Sequence, residues 1–124
     1  MGQARPFRSV ALIVEDDAMQ REMLSLLLEE SGYHVIQCES GDDARHVLEV
    51  AGGTLCFLMT DVQLAGHVNG VELAHIAKAR NPRLDVVVTS GRPLMQALPD
   101  GAKFWPKPWA PLDVLREAEL AQMS

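Results

Sequence analysis

The sequence predicts an α/β domain built on one doubly wound, five-stranded parallel sheet with helices on both faces. Three observations carry that class. Short apolar runs rich in branched residues recur along the chain, and most are followed by a stretch with helical spacing. Polar residues stand at the ends of the runs, and Gly or Pro breaks separate the units. The chain has 124 residues and is 48% hydrophobic, which suits a single core.

Val10 to Val14 (VALIV) is wholly apolar, as expected for a strand covered on both faces. Glu15-Asp16-Asp17 follows, and from Ala18 the residues Met19, Met23, Leu24, Leu27 and Leu28 recur at helical spacing until Gly32. Met19 and Met23 are expected in the core. The second unit is a strand from Tyr33 to Cys38, a corner at Ser40-Gly41, a helix from Asp42 to Val50 and a Gly52-Gly53 break. The third strand, Thr54 to Thr60, runs into Asp61 and a loop with Gly66 and Asn69-Gly70, then a helix from Val71 to Arg80 closed by Asn81-Pro82. A fourth strand, Asp85 to Thr89, turns at Ser90-Gly91-Arg92-Pro93. Only Leu94 to Leu98 remains before Pro99, so the fourth helix should be short or irregular. The fifth strand, Ala102 to Trp105, breaks at Pro106-Lys107-Pro108. Pro111 can open the last helix, with Leu112, Leu115 and Leu120 on its buried face. Residues 9–124 read as one domain, with 1–8 as an N-terminal extension.

Composition narrows the function classes. A net charge of −6 argues against a direct nucleic-acid footprint, which needs a basic face. No apolar run approaches the ~20 residues needed to span a bilayer. Residues 1–9 lack the apolar stretch of a secretory signal, so a cytoplasmic location is expected. Cys38 and Cys56 have no zinc or redox spacing and read as buried thiols.

In an open parallel sheet, ligands bind beyond the carboxyl ends of the strands. Glu15 and Asp16 end the first strand, Asp61 the third and Thr89 the fourth, with Lys107 just past the fifth. Carboxylates from two strands form a hard-oxygen site for Mg²⁺, with Asp16 and Asp61 as direct ligands. An ionised aspartate can attack phosphorus, which makes Asp61 the expected nucleophile. Lys107 and the Thr89 hydroxyl are placed to meet phosphoryl oxygens. Asp17 reads as a helix N-terminal acid. Phe104 reads as a packing aromatic of the fifth strand, and Trp109 is open between a partner contact and local packing. His34, His46, His67 and His75 are dispersed and are not read as ligands or phosphoacceptors.

The segments LIVEDD, LMTDVQLAG, VVVTSG and FWPKP, in this order, resemble the signature segments of response-regulator receiver domains of two-component systems. The likeness runs from Ser9 to the C-terminus and is closest to a subgroup of short stand-alone receivers. It implies a flavodoxin-like sheet of order 2-1-3-4-5. It also implies that Asp61 accepts a phosphoryl group from a histidine kinase. Glu15, Asp16, Asp61 and the Gln63 backbone carbonyl would hold Mg²⁺, with Mn²⁺ as a substitute. The resemblance makes Thr89 the switch hydroxyl, Phe104 the switch aromatic and Lys107 the phosphate sensor, with a cis peptide before Pro108. Val62 and Leu64 should pack beneath the loop, and Gln63 and Gly91 should tune phosphate loss.

Glu15 stands where the family commonly has Asp, which favours contact through a metal-bound water. The loop after Asp61 is one residue longer than usual, and the stretch from Thr89 to Lys107 about four shorter. Expected partners are a sensor histidine kinase or a histidine phosphotransfer protein, and a downstream protein; a homodimer through the last helix is left open. The domain is read as a phosphoacceptor switch that catalyses only its own phosphorylation and dephosphorylation. The alternative is a receiver-like interaction module that works without phosphorylation. A phosphohydrolase is disfavoured because Val62-Gln63, without a second acid, follows Asp61. A nucleotide-binding sheet lacks its Gly-rich loop after the first strand.

Overall fold

The computed structural model describes residues 9–123, so the extension over 1–8 lies outside the described residues. The elements are β1 (Val10–Val14), α1 (Ala18–Glu30), β2 (His34–Cys38), α2 (Gly41–Ala51), a 3₁₀ turn (Gly52–Thr54), β3 (Leu55–Asp61), α3 (Gly70–Arg80), β4 (Asp85–Ser90), β5 (Lys103–Pro106) and α4 (Pro111–Gln122). Every strand pairing is parallel, and the sheet order is β2-β1-β3-β4-β5. This is the doubly wound, flavodoxin-like sheet that the sequence predicts.

Alternation along the central strands builds two cores. Leu12 and Val14 join Leu58, Val86 and Val88 beneath α2 and α3, where Ala44, Leu48, Leu73, Ala74 and Ala77 pack. Ala11 and Ile13 point the other way, toward Leu24 and Leu28 of α1 and Val114, Ala118 and Ala121 of α4. Tyr33 is buried there, and its hydroxyl donates to the Ala118 carbonyl at 2.6 Å.

Local chemistry explains the helix starts. Asp17 caps α1 by accepting from the backbone N–H groups of Met19 and Gln20, and Ser40 caps α2 through Asp43 N–H. Asn69 and Glu72 form a reciprocal capping box on α3. Pro111 opens α4, and Asp113 accepts from the Ala110 N–H.

No helix forms between β4 and β5. That stretch is irregular, with Leu98 and Ala102 packing on the α2/α3 face where a helix would lie. Two buried-face expectations need correction. Met19 is 83% and Met23 40% exposed, because α1 turns the Leu24, Ser25 and Leu28 stripe inward instead. In α4, Leu112 and Leu120 are exposed, and Val114, Glu117, Ala118 and Ala121 are buried. Small residues there let α4 lie close to the sheet. Glu117 is tolerated inside because Lys103 of β5 bonds it and also lies 3.6 Å from Asp85. Cys38 is buried and Cys56 half-buried, both as free thiols.

Candidate functional site

β1 and β3 are neighbours, so their carboxyl ends deliver acids to one place. Glu15, Asp16 and Asp61 each present a carboxylate oxygen within 4.8 Å of the others. Glu15 is buried and accepts from the Asp17 N–H at 3.0 Å, while Asp16 is exposed. Burial, with the charge of Asp61 and hydrogen bonding to Asp61 and Asp16, pushes the Glu15 carboxyl up to about 7. Arg21, one turn into α1, donates to the Glu15 carbonyl at 2.7 Å and so ties the strand end to the helix.

Lys107 reaches across from the end of β5. Its ammonium lies 3.0 Å from one oxygen of Asp61 and 3.1 Å from the other. The Lys107–Pro108 peptide is cis. The Lys107 N–H donates to the Ser90 carbonyl, and the Val62 N–H to the Thr89 carbonyl, so the ends of β3, β4 and β5 are stitched into one rim. Thr89 is paired in register with Asp61 and is buried.

The loop from Val62 to Asn69 is pinned by Asp42, which accepts from the backbone N–H groups of His67 and Val68 and lies 3.4 Å from the His67 ring. Desolvation raises the Asp42 carboxyl, but those bonds outweigh it and hold its pKa below the ordinary value. Gly70, at the start of α3, sits against the phosphoacceptor candidate itself. A Cβ there would lie 1.9 Å from the Asp61 carbonyl oxygen. Val62 and Leu64 pack on the core as expected, and Gln63 is exposed. Phe104 is half-buried, opposite Val88 in register.

Three contacts at the site are not expected from the sequence, which leaves Trp109 open between a partner contact and local packing and reads Gly70 only as a loop residue. Trp109 donates its indole N–H to the Thr89 hydroxyl at 3.0 Å, Arg21 holds the Glu15 carbonyl, and Gly70 admits the Asp61 backbone. The Gly70 signal was present as Asn69-Gly70 before a helix, but the close approach that makes it necessary is tertiary.

The family model described as the response regulator receiver domain matches residues 11–115. The chain belongs to the response regulator receiver family. Its general role is therefore in two-component phosphorelay signalling. The receiver is 37% identical over 79 residues to a cyclic di-GMP phosphodiesterase of Thermotoga maritima, an alignment covering 64% of this chain but only 20% of that protein. It superposes on a response regulator receiver protein from Sinorhizobium medicae with a TM-score of 0.82 at 19% identity, covering 94% of this chain and 95% of that one. The receiver domain of the hybrid histidine kinase CckA gives a TM-score of 0.78 at 26% identity, covering 91% and 98%. Among the described residues, no helix is long and apolar enough to cross a membrane.

Proposed function

We propose that this receiver takes a phosphoryl group onto Asp61 from a phosphohistidine of a kinase or phosphotransfer protein, in a Mg²⁺-dependent reaction, and thereby changes the surface it offers a downstream protein. The observation that carries the reading is the Lys107 ammonium bridging both Asp61 oxygens beside two further acids. A single cation does not balance three clustered carboxylates. The donor set is all hard oxygen, and two of the three residues are partly accessible, which fits Mg²⁺ held by few protein ligands and several waters. Asp16, Asp61 and the Gln63 carbonyl would hold it directly, and Glu15 through water. When bound, the ion supplies charge neutralisation for the incoming phosphoryl group.

The chain's own groups do the rest. An Asp61 carboxylate oxygen forms a bond to phosphorus as the phosphorus–nitrogen bond of the donor breaks. The electron pair leaves with the donor imidazole, which needs no strong acid from the receiver. Lys107, bonded to Asp61 beforehand, keeps one carboxylate oxygen oriented and then meets a phosphoryl oxygen. Thr89, on the adjacent strand, donates its hydroxyl to another. Exposure of Gly91 leaves a route for the water that later hydrolyses the acyl phosphate.

Incubation with Mg²⁺ and acetyl phosphate should add one phosphoryl mass to the folded protein. Chelation of the metal, or Asp61→Asn, should abolish the addition. An unchanged mass for the wild type with Mg²⁺ present would reject the proposal in favour of a phosphorylation-independent module.

A further inference from the structure

In the reaction proposed above, Thr89 donates its hydroxyl to an oxygen of the phosphoryl group on Asp61, and in the structure the oxygen of that hydroxyl already accepts a bond from another side chain. Trp109 donates its indole N–H to Thr89 Oγ at 3.0 Å. Thr89 is only 3% exposed, so water has little access to its hydroxyl. The indole nitrogen is a donor alone, and the Thr89 oxygen is its acceptor here. The Asp61 carboxylate is an available acceptor on the neighbouring strand. It receives Lys107, and no bond from Thr89 reaches it among the described residues. A threonine hydroxyl changes direction by moving between discrete staggered rotamers, and the bond from Trp109 favours the one seen here.

We propose that Trp109 is a positioning residue, a latch that holds the Thr89 hydroxyl away from the phosphoryl position until Asp61 is phosphorylated. The inference rests on Asp61 being the phosphoacceptor. A phosphoryl oxygen offers Thr89 a charge-assisted hydrogen bond, roughly twice as strong as the neutral bond to the indole. The exchange of partners is therefore downhill once the phosphoryl group is in place. The released indole changes the wall of a shallow pocket between α1 and the start of α4, lined by Gln20, Met23, Lys107, Pro108, Trp109 and Pro111. The state of Asp61 thus reaches an outer surface through a side chain two residues beyond Lys107.

The test uses Trp105→Phe protein, in which Trp109 is the single tryptophan. Beryllofluoride with Mg²⁺ serves as a phosphoryl mimic. The indole N–H resonance of Trp109 should move on saturation, a readout that needs no change at Trp109. Trp109→Phe, which keeps an aromatic ring in place, should tighten beryllofluoride binding on the order of two- to tenfold, the worth of one neutral hydrogen bond. In a Thr89→Ala background the same substitution should have no effect. Saturation with an unmoved indole resonance, or unchanged or weaker binding by Trp109→Phe, would overturn the latch alone. Failure of the wild type both to bind beryllofluoride and to take a phosphoryl mass would overturn the Asp61 reading and the latch with it.

Discussion

Lys107 and Asp61, 46 residues apart in the chain, meet with the ammonium 3.0 and 3.1 Å from the two carboxylate oxygens. This pair places a fixed positive charge at the same acidic cluster that would receive a divalent cation. The two cations compete for one field. Lys107→Met should therefore raise Mg²⁺ affinity by about fivefold, from the loss of ~1 kcal/mol of cation–cation repulsion in a half-solvated site. Isothermal titration checks this; unchanged or weaker Mg²⁺ binding would mean that Lys107 does not oppose the ion.

Glu15 gives the site a pH dependence whose sign can be worked out. Its folded carboxyl is raised from the ordinary 4.5 to about 7, so the folded state binds the proton more tightly than the unfolded state. That contribution to stability is fully present below about pH 4.5 and is lost as pH rises through about 7. Mg²⁺ requires the ionised form, so the stabilisation it gives should grow from pH 5 to pH 8. Asp85 is also pushed up to about 7, by burial and by its hydrogen bond with Glu117. It lies outside the acidic cluster, so the difference between melts in Mg²⁺ and in chelator isolates the Glu15 part. Glu15→Gln should flatten that difference and make the metal-free protein more stable above pH 7.

Gly70 tests how tightly the site is built. A Cβ there would stand 1.9 Å from the Asp61 carbonyl oxygen and 2.9 Å from the Val62 Cα, and backbone cannot yield as a flexible side chain can. Gly70→Ala should cost about 2–4 kcal/mol, the range of a severe internal clash, and should slow phosphorylation by displacing Asp61. Denaturant unfolding and rates with acetyl phosphate measure the two effects.

Gly91 is the opposite case. A Cβ there meets nothing within 4 Å. Gly91→Tyr should change stability by no more than about 0.5 kcal/mol. It should also lengthen the lifetime of the phosphoprotein by shielding the acyl phosphate from water. Decay of the phosphoryl mass after donor removal gives the comparison; equal lifetimes would show that water does not enter past residue 91.

The sheet and the strand-end residues were legible because they rest on local patterns. VALIV, short, wholly apolar and rich in branched residues, has the pattern of a strand buried on both faces, and a polar residue after such a run lies at a strand tip. The face that α1 and α4 turn inward was less legible. Met19, Met23, Leu112 and Leu120 are apolar and at helical spacing, yet packing selected Leu24 and Leu28 in one helix and Val114, Ala118 and Ala121 in the other. Helical spacing identifies a stripe, but α1 carries more apolar positions than one stripe holds, and α4 buries small residues to come close to the sheet. The Trp109–Thr89 bond and the Lys103 contacts with Asp85 and Glu117 join distant segments, so no local pattern announces them. The empty helix position between β4 and β5 follows from a count of residues: Gly91 to Ala102 holds two prolines and too little chain for a full helix and two turns.

The decisive property of this receiver is the side chain on which the phosphoryl group comes to rest. Fragment mass spectrometry of protein phosphorylated with Mg²⁺ and quenched rapidly should place the added mass on the peptide carrying Asp61, at Asp61 itself. A phosphoryl group found instead on His34, His46, His67 or His75, or on another carboxylate, would contradict the Asp61 assignment.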